Sequence, residues 1–171
     1  MTNREMHYEL MMENDEGGAT VGKIIVREYT DGDLPECVDL YMKTFSREPW
    51  NESWESKEVV ADFIGRHHTN NYFLGFVAEK DGRVVAASLG FQKPWIKGME
   101  YYIDEYFVDP DLQGQGIGST QMGQIKERLA QKGISAVMLC TERDVPARVF
   151  YERMGFSIAE RMVLLFASTM R

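Results

Sequence analysis

From Lys23 onward the chain alternates between short apolar runs and stretches in which apolar residues recur every three or four positions. Ile24-Ile25-Val26 predicts a strand that ends at the turn residues Asp31-Gly32. Leu34, Cys37, Val38, Tyr41 and Phe45 share one face of a predicted helix. Asp33 and Glu36 have the spacing of a capping box, Pro35 suits the first turn, and Pro49 stops the helix. A second helix is expected from about Ser56, its cap, to about His67, with Val60, Phe63 and Ile64 apolar. Strands follow at about 72–79 and 84–91, joined by Lys80-Asp81-Gly82-Arg83, whose Asp-Gly pair favours a tight hairpin. A fourth strand, about 100–108, halts at Asp109-Pro110.

The back half repeats the helical signal. Gly118, Met122, Ile125 and Leu129 line one face of a helix over about 116–131, with Gly133 as its stop. A strand at 135–141 leads to a short helix at about 146–154, which Asp144 can cap, Pro146 opens and Gly155 closes. Two last strands are predicted near 156–160 and 162–167. The resulting order, β-α-α-β-β-β-α-β-α-β-β, describes a mixed α/β or α+β domain with an antiparallel front and a βαβ crossover behind. Residues 1–22, polar and Met-rich, are read as a flexible N-terminal arm, leaving 23–171 as a single domain.

Composition narrows the class. A chain of 171 residues suits one domain. Net charge of −8 disfavours nucleic acid and favours cationic small molecules, although a negative surface also simply serves solubility. No apolar run reaches the roughly 18 residues of a membrane span, and the acidic first 22 residues do not make a signal peptide. Cys37 and Cys140 sit in apolar stretches and match no metal or redox spacing, so both are expected as reduced core residues of a cytoplasmic protein. His7, His67 and His68 have no partners at metal-ligand spacing and are expected to face solvent, so no metal site is expected.

Gln113-Gly114-Gln115-Gly116-Ile117-Gly118 carries the clearest chemical signal. Between a strand and a helix, positions without side chains let backbone N–H groups converge on an anion, and the helix N-terminus adds partial positive charge. The glycine spacing is not the dinucleotide fingerprint, and the Lys of a P-loop is missing after Gly118. Val108-Asp109-Pro110 followed by this turn resembles the first motif of the GNAT superfamily of N-acetyltransferases. Ala147, Phe150-Tyr151-Glu152 and Gly155-Phe156 resemble its second motif at the usual separation.

The resemblance implies a mostly antiparallel sheet of about seven strands flanked by about four helices and splayed between strands 4 and 5. It also implies an acetyl-CoA site built from Phe107, Val108, Gln113, Gly114, Gln115, Gly116, Ile117, Gly118, Ser119, Asp144 and Tyr151. Gln113 stands where the family more often has Arg, and Asp144 where it often has Asn.

Amide formation from a thioester requires a neutral amine, a polarised carbonyl and a proton for the thiolate. By alternation Asp104 and Glu105 should point to opposite faces of their strand. By resemblance Asp104 is the base, with Glu105 in reserve; the Val108 N–H polarises the carbonyl and Tyr151 is the acid. Trp50, Glu52 and Trp54 fall where the family builds its acceptor wall, and aromatics with a carboxylate suit a cationic amine, although loop tryptophans can equally cap a core. This segment and the Tyr101-Tyr102-Ile103-Asp104-Glu105 strand look similar to aminoglycoside N-acetyltransferase-like members. The expected activity is acetyl transfer to a primary amine of a small cationic acceptor, aminoglycoside- or polyamine-like, with a homodimer allowed for. A protein or peptide N-acetyltransferase and a non-catalytic acyl-CoA sensor stand as alternatives.

Overall fold

The computed structural model of the chain describes residues 23–169; the predicted N-terminal arm and His7 lie outside them. Five strands form one sheet in sequence order: β1 (Ile25–Glu28), β2 (Phe73–Lys80), β3 (Arg83–Trp95), β4 (Gly98–Val108) and β5 (Ile134–Leu139). The first three junctions are antiparallel and β4–β5 is parallel. The β2–β3 turn follows from its sequence, because Asp81 and Gly82 both take positive φ (53° and 74°) and Lys80 pairs with Arg83.

Helices α1 (Leu34–Phe45) and α2 (Lys57–His68) precede β2, α3 (Ile117–Gln131) makes the β4-to-β5 crossover, and α4 (Pro146–Arg153) follows β5. Two apolar clusters divide the core. One joins Met122, Ile125 and Leu129 of α3 to Phe76, Tyr101 and Ile103 of the sheet. The other joins Cys37, Val38 and Tyr41 of α1 and Val60 and Ile64 of α2 to Leu89 and Phe107. The predicted helix faces are therefore the buried ones.

The entry to α1 differs from the expected capping box. The Thr30 N–H donates to Asp33 Oδ2 at 2.7 Å, so the box spans Thr30 and Asp33. Asp33 is held by Arg27 at 2.6 Å, and the same guanidinium meets Glu79 at 2.5 Å. Glu36 instead accepts the Val84 N–H at 2.8 Å, joining α1 to β3. At α4 the cap is Val145, not Asp144.

Two predicted strands do not form. Residues 156–169 are irregular, and Val163, Leu164, Leu165 and Phe166 are 78–91% exposed. Apolar content marks such a run as a strand candidate but supplies no ladder partner, and a strand exists only when paired. The sheet has five strands among the described residues, and β5 ends its order. Cys140, just beyond β5, is exposed rather than in the core, while Cys37 is fully buried. None of the helices among the described residues is long and apolar enough to cross a membrane.

Candidate active site

The site begins where the sheet parts. β5 pairs with β4 only as far as Ile103↔Leu139, so residues 104–108 lose that neighbour while keeping β3 on the other side. Alternate N–H groups of a strand point to opposite edges. The Asp109 N–H donates to Val85 O on the β3 side at 2.8 Å, which directs the Val108 N–H toward the open edge.

A β-bulge sits at the same place, because Leu89 pairs with Glu105 but Gly90 with Ile103. The extra residue flips the side-chain alternation. Tyr101 and Ile103 face the α3 cluster, yet Phe107 belongs to the α1–α2 cluster. Asp104 and Glu105 consequently share the α1–α2 side, which corrects the expectation of opposite faces. Gly90 permits the bulge, since a Cβ there would lie 2.2 Å from the Tyr102 carbonyl and 3.0 Å from the Tyr101 ring.

The two neighbours differ in environment. Glu105 is largely enclosed, and desolvation, then the charges of Asp104 and Glu52, push its carboxyl up to about 8 from the ordinary 4.5. Asp104 is half-exposed, with Oδ2 3.3 Å from His67 Nδ1. His67 is not solvent-facing as expected. Its ring packs edge-on to Phe63, burial lowers its pKa against the pull of Asp104, and its Nε2 is buried without a hydrogen-bond partner among the described residues. His68 is half-buried against Tyr29 and Phe73 and reaches Asp31.

On the opposite side of the gap, Tyr151 of α4 packs against Phe150, Phe156 and Tyr106. Burial and the Glu105 charge raise its pKa above the ordinary 10, so the phenol keeps its proton at neutral pH. Sequence reasoning missed Tyr106, whose hydroxyl donates to the Gly118 carbonyl at 2.8 Å and whose ring stacks on Phe150. It also missed Lys43 of α1 and Arg47, just beyond the end of that helix, which grip Asp109 and Asp111 at 2.5–2.7 Å and fix the loop leading to α3.

A cleft of about 1020 Å³ runs along this gap. Phe107, Val108, Gln113, Gly114, Gly116, Ile117, Gly118, Ser119 and Tyr151 line it, whereas Gln115 and Asp144 are exposed elsewhere. Gly114 and Gly116 take positive φ (77° and 81°), and a Cβ on either would project into open space. The first backbone bond of α3 runs from the Thr120 N–H to Gly116 O, so the preceding N–H groups have no intrahelical acceptor. An open concavity edged by such donors fits a pyrophosphate. Gln113 donates to the Val108 carbonyl at 3.2 Å, bracing the cradle instead of extending a charge toward it.

The predicted acceptor residues separate. Trp50 lines the large cleft, where it packs on Phe45. Glu52 and Trp54 line a second cavity of about 360 Å³ between α1 and α2.

The sequence profile of the Acetyltransferase (GNAT) family matches residues 34–156. The chain belongs to this family. A relative described as an uncharacterized N-acetyltransferase of Methanocaldococcus jannaschii is 26% identical over 144 residues, 79% of this chain and 61% of that protein. The chain thus spans less than two thirds of that relative's length. An aminoglycoside acetyltransferase from an uncultured soil metagenomic sample, solved with sisomicin, superposes with TM-score 0.65 at 21% identity, over 86% of this chain and 97% of its own. An aminoglycoside N-acetyltransferase in complex with CoA superposes with TM-score 0.67 at 14% identity, over 86% and 96%. At these identities the two structures speak to the fold.

Proposed function

We propose that this GNAT protein transfers an acetyl group from acetyl-CoA to a primary amine of a small cationic acceptor, directly within a ternary complex. The observation that carries the reading is the parted strand, where an enclosed carboxyl tuned to about 8 and a protonated phenol flank one gap.

Acetyl-CoA supplies the activated acetyl thioester. Its pyrophosphate fits the N–H cradle of Gly114, Gly116, Ile117, Gly118 and Ser119, with Phe107 and Val108 along the pantetheine path. Glu105 takes the proton of the acceptor's ammonium, for which a carboxylate tuned toward neutrality is a far better base than an ordinary one. Its enclosure raises it first, the charges of Asp104 and Glu52 add to that, and the same charges attract the cation. The Val108 N–H, facing the open edge, is the donor for a carbonyl oxygen that gains negative charge. Tyr151 holds the proton for the departing thiolate. Asp104 has only His67 as an ion-pair partner, with burial lowering the imidazole's pKa, and Glu52 has none among the described residues; these carboxylates support a cationic acceptor over an anionic or neutral one.

A homodimer forms part of the proposal. Its support is the apolar run Val163–Phe166, which lies exposed beyond the last strand of the sheet; sedimentation at micromolar concentration tests it. The functional test is thiol release from acetyl-CoA with aminoglycosides, polyamines, amino acids and peptide N-termini as acceptors. Release with small polycations supports the proposal. Acetyl-CoA binding without release for any acceptor would leave a sensor domain, and release with peptides alone would make the protein a peptide acetyltransferase.

A further inference from the structure

The second cavity has no lining residue in common with the acetyl-CoA cleft. Its walls are aromatic. The Tyr41 ring stands 5.6 Å from Trp54 at 58° and 5.6 Å from Phe63 at 55°, so the three rings form a corner rather than a stack. Each inner wall is backed. Tyr41 packs on Phe45 and Phe107 at 4.4 and 5.4 Å, and Phe63 packs on His67 at 5.0 Å. The corner therefore keeps its shape without a ligand.

Its polar groups have one unbalanced charge. Arg66 is spent on Asp62, one turn away on α2. Glu52 has no ion-pair partner among those of the described residues, and partial desolvation raises its pKa. Aromatic faces with one uncompensated carboxylate attract an alkylammonium, through the ring quadrupole and the charge, and disfavour anions.

The corner also lies within electrostatic reach of Glu105. Desolvation dominates the raised pKa values of both Glu105 and Tyr41; the Glu52 charge adds to each, and the Glu105 charge adds to that of Tyr41. Phe107, in contact with Tyr41, also lines the acetyl-CoA cleft. A molecule carrying two ammonium groups would place one at Glu105 and the other at Glu52, relieving the repulsion between the carboxylates.

We infer that the Tyr41–Trp54–Phe63 corner with Glu52 is a subsite for a second alkylammonium group of the acceptor, so the protein selects dications over monoamines. This inference rests on the proposed role of Glu105 as the base that receives the reacting amine.

The experiment compares linear α,ω-diamines of increasing length with monoamines of matched length, by calorimetry in the presence of CoA and by thiol release from acetyl-CoA. Diamines should bind and react with an optimum in length, favoured about tenfold or more over matched monoamines. Trp54→Ala and Glu52→Gln should each bring that ratio close to one, and Trp54→Phe should restore much of it. Trp54 lies in a partly exposed loop segment, and unchanged CoA affinity in the variants reports an intact fold. Equal handling of diamines and monoamines by the wild type would overturn the subsite while leaving acetyl transfer standing. A ratio unchanged in both Trp54→Ala and Glu52→Gln would do the same. Selective diamine binding without thiol release would keep the subsite and sink the catalytic reading.

Discussion

Replacing Glu105 with Gln should stabilise the protein and silence it together. The folded state holds a proton on this carboxyl up to about pH 8, whereas an unfolded chain releases it near the ordinary 4.5. Between those values the native state binds more protons than the unfolded one, so stability falls as pH rises through this window and levels off above it. A shift of that size corresponds to about 5 kcal/mol in a dry site; partial solvation at the parted edge lowers it, and roughly 2–4 kcal/mol is expected. Gln mimics the protonated acid and does not titrate. Glu105→Gln should therefore match the wild type near pH 5 and exceed it by that amount at pH 8.5, in denaturant melts followed by tryptophan fluorescence across the pH series. Turnover should fall by about 10²–10⁴-fold through loss of the base. In the wild type, the acceptor's kcat/KM should rise with pH and level off near the same value of about 8. Stability curves of the two proteins that stay parallel from pH 5 to 8.5 would refute the argument, because no raised carboxyl would then reside at this position.

Three further outcomes test the rest of the site. Tyr151→Phe keeps the packing on Phe150 and Phe156 and removes the proton, so turnover should drop about 10²-fold with acetyl-CoA affinity unchanged; wild-type turnover would remove Tyr151 from the mechanism. Gly116→Val places a β-branched residue at φ 81° and a side chain in the cradle's open space, and calorimetry should show acetyl-CoA affinity lost, while tight binding would dismiss the cradle. Gly90→Ala drives a Cβ against the Tyr102 carbonyl, so it should lower stability by a few kcal/mol and, in the protein that still folds, depress turnover more than CoA affinity; a neutral effect on both would mean the bulge does not set the Asp104–Glu105 placement.

What the sequence conveys about this site depends on how local each signal is. The hairpin at Asp81-Gly82, the buried stripes of α1 and α3 and the glycine turn before α3 each rest on residues close together in the chain, and all appear where the pattern puts them. The bulge does not work that way. Tyr101-Tyr102-Ile103-Asp104-Glu105 alternates like any strand, and the slip that turns both carboxylates toward α1 and α2 is made by Gly90 on the neighbouring strand, fourteen positions away from Asp104. His67 is hidden for a similar reason. On its own helix it is an unremarkable residue near the C-terminal end, and it becomes the neighbour of Asp104 only when the end of α2 meets β4. The tail fails in the opposite direction, since Val163–Phe166 carries a strong apolar signal and no partner. Periodicity reports what a segment can bury, whereas a site depends on which segments meet. The proposed ordering of Glu105 ahead of Asp104 as base rests on that second kind of information, because their identities and positions are nearly equivalent and it is the fold that encloses Glu105 while leaving Asp104 half-exposed beside His67.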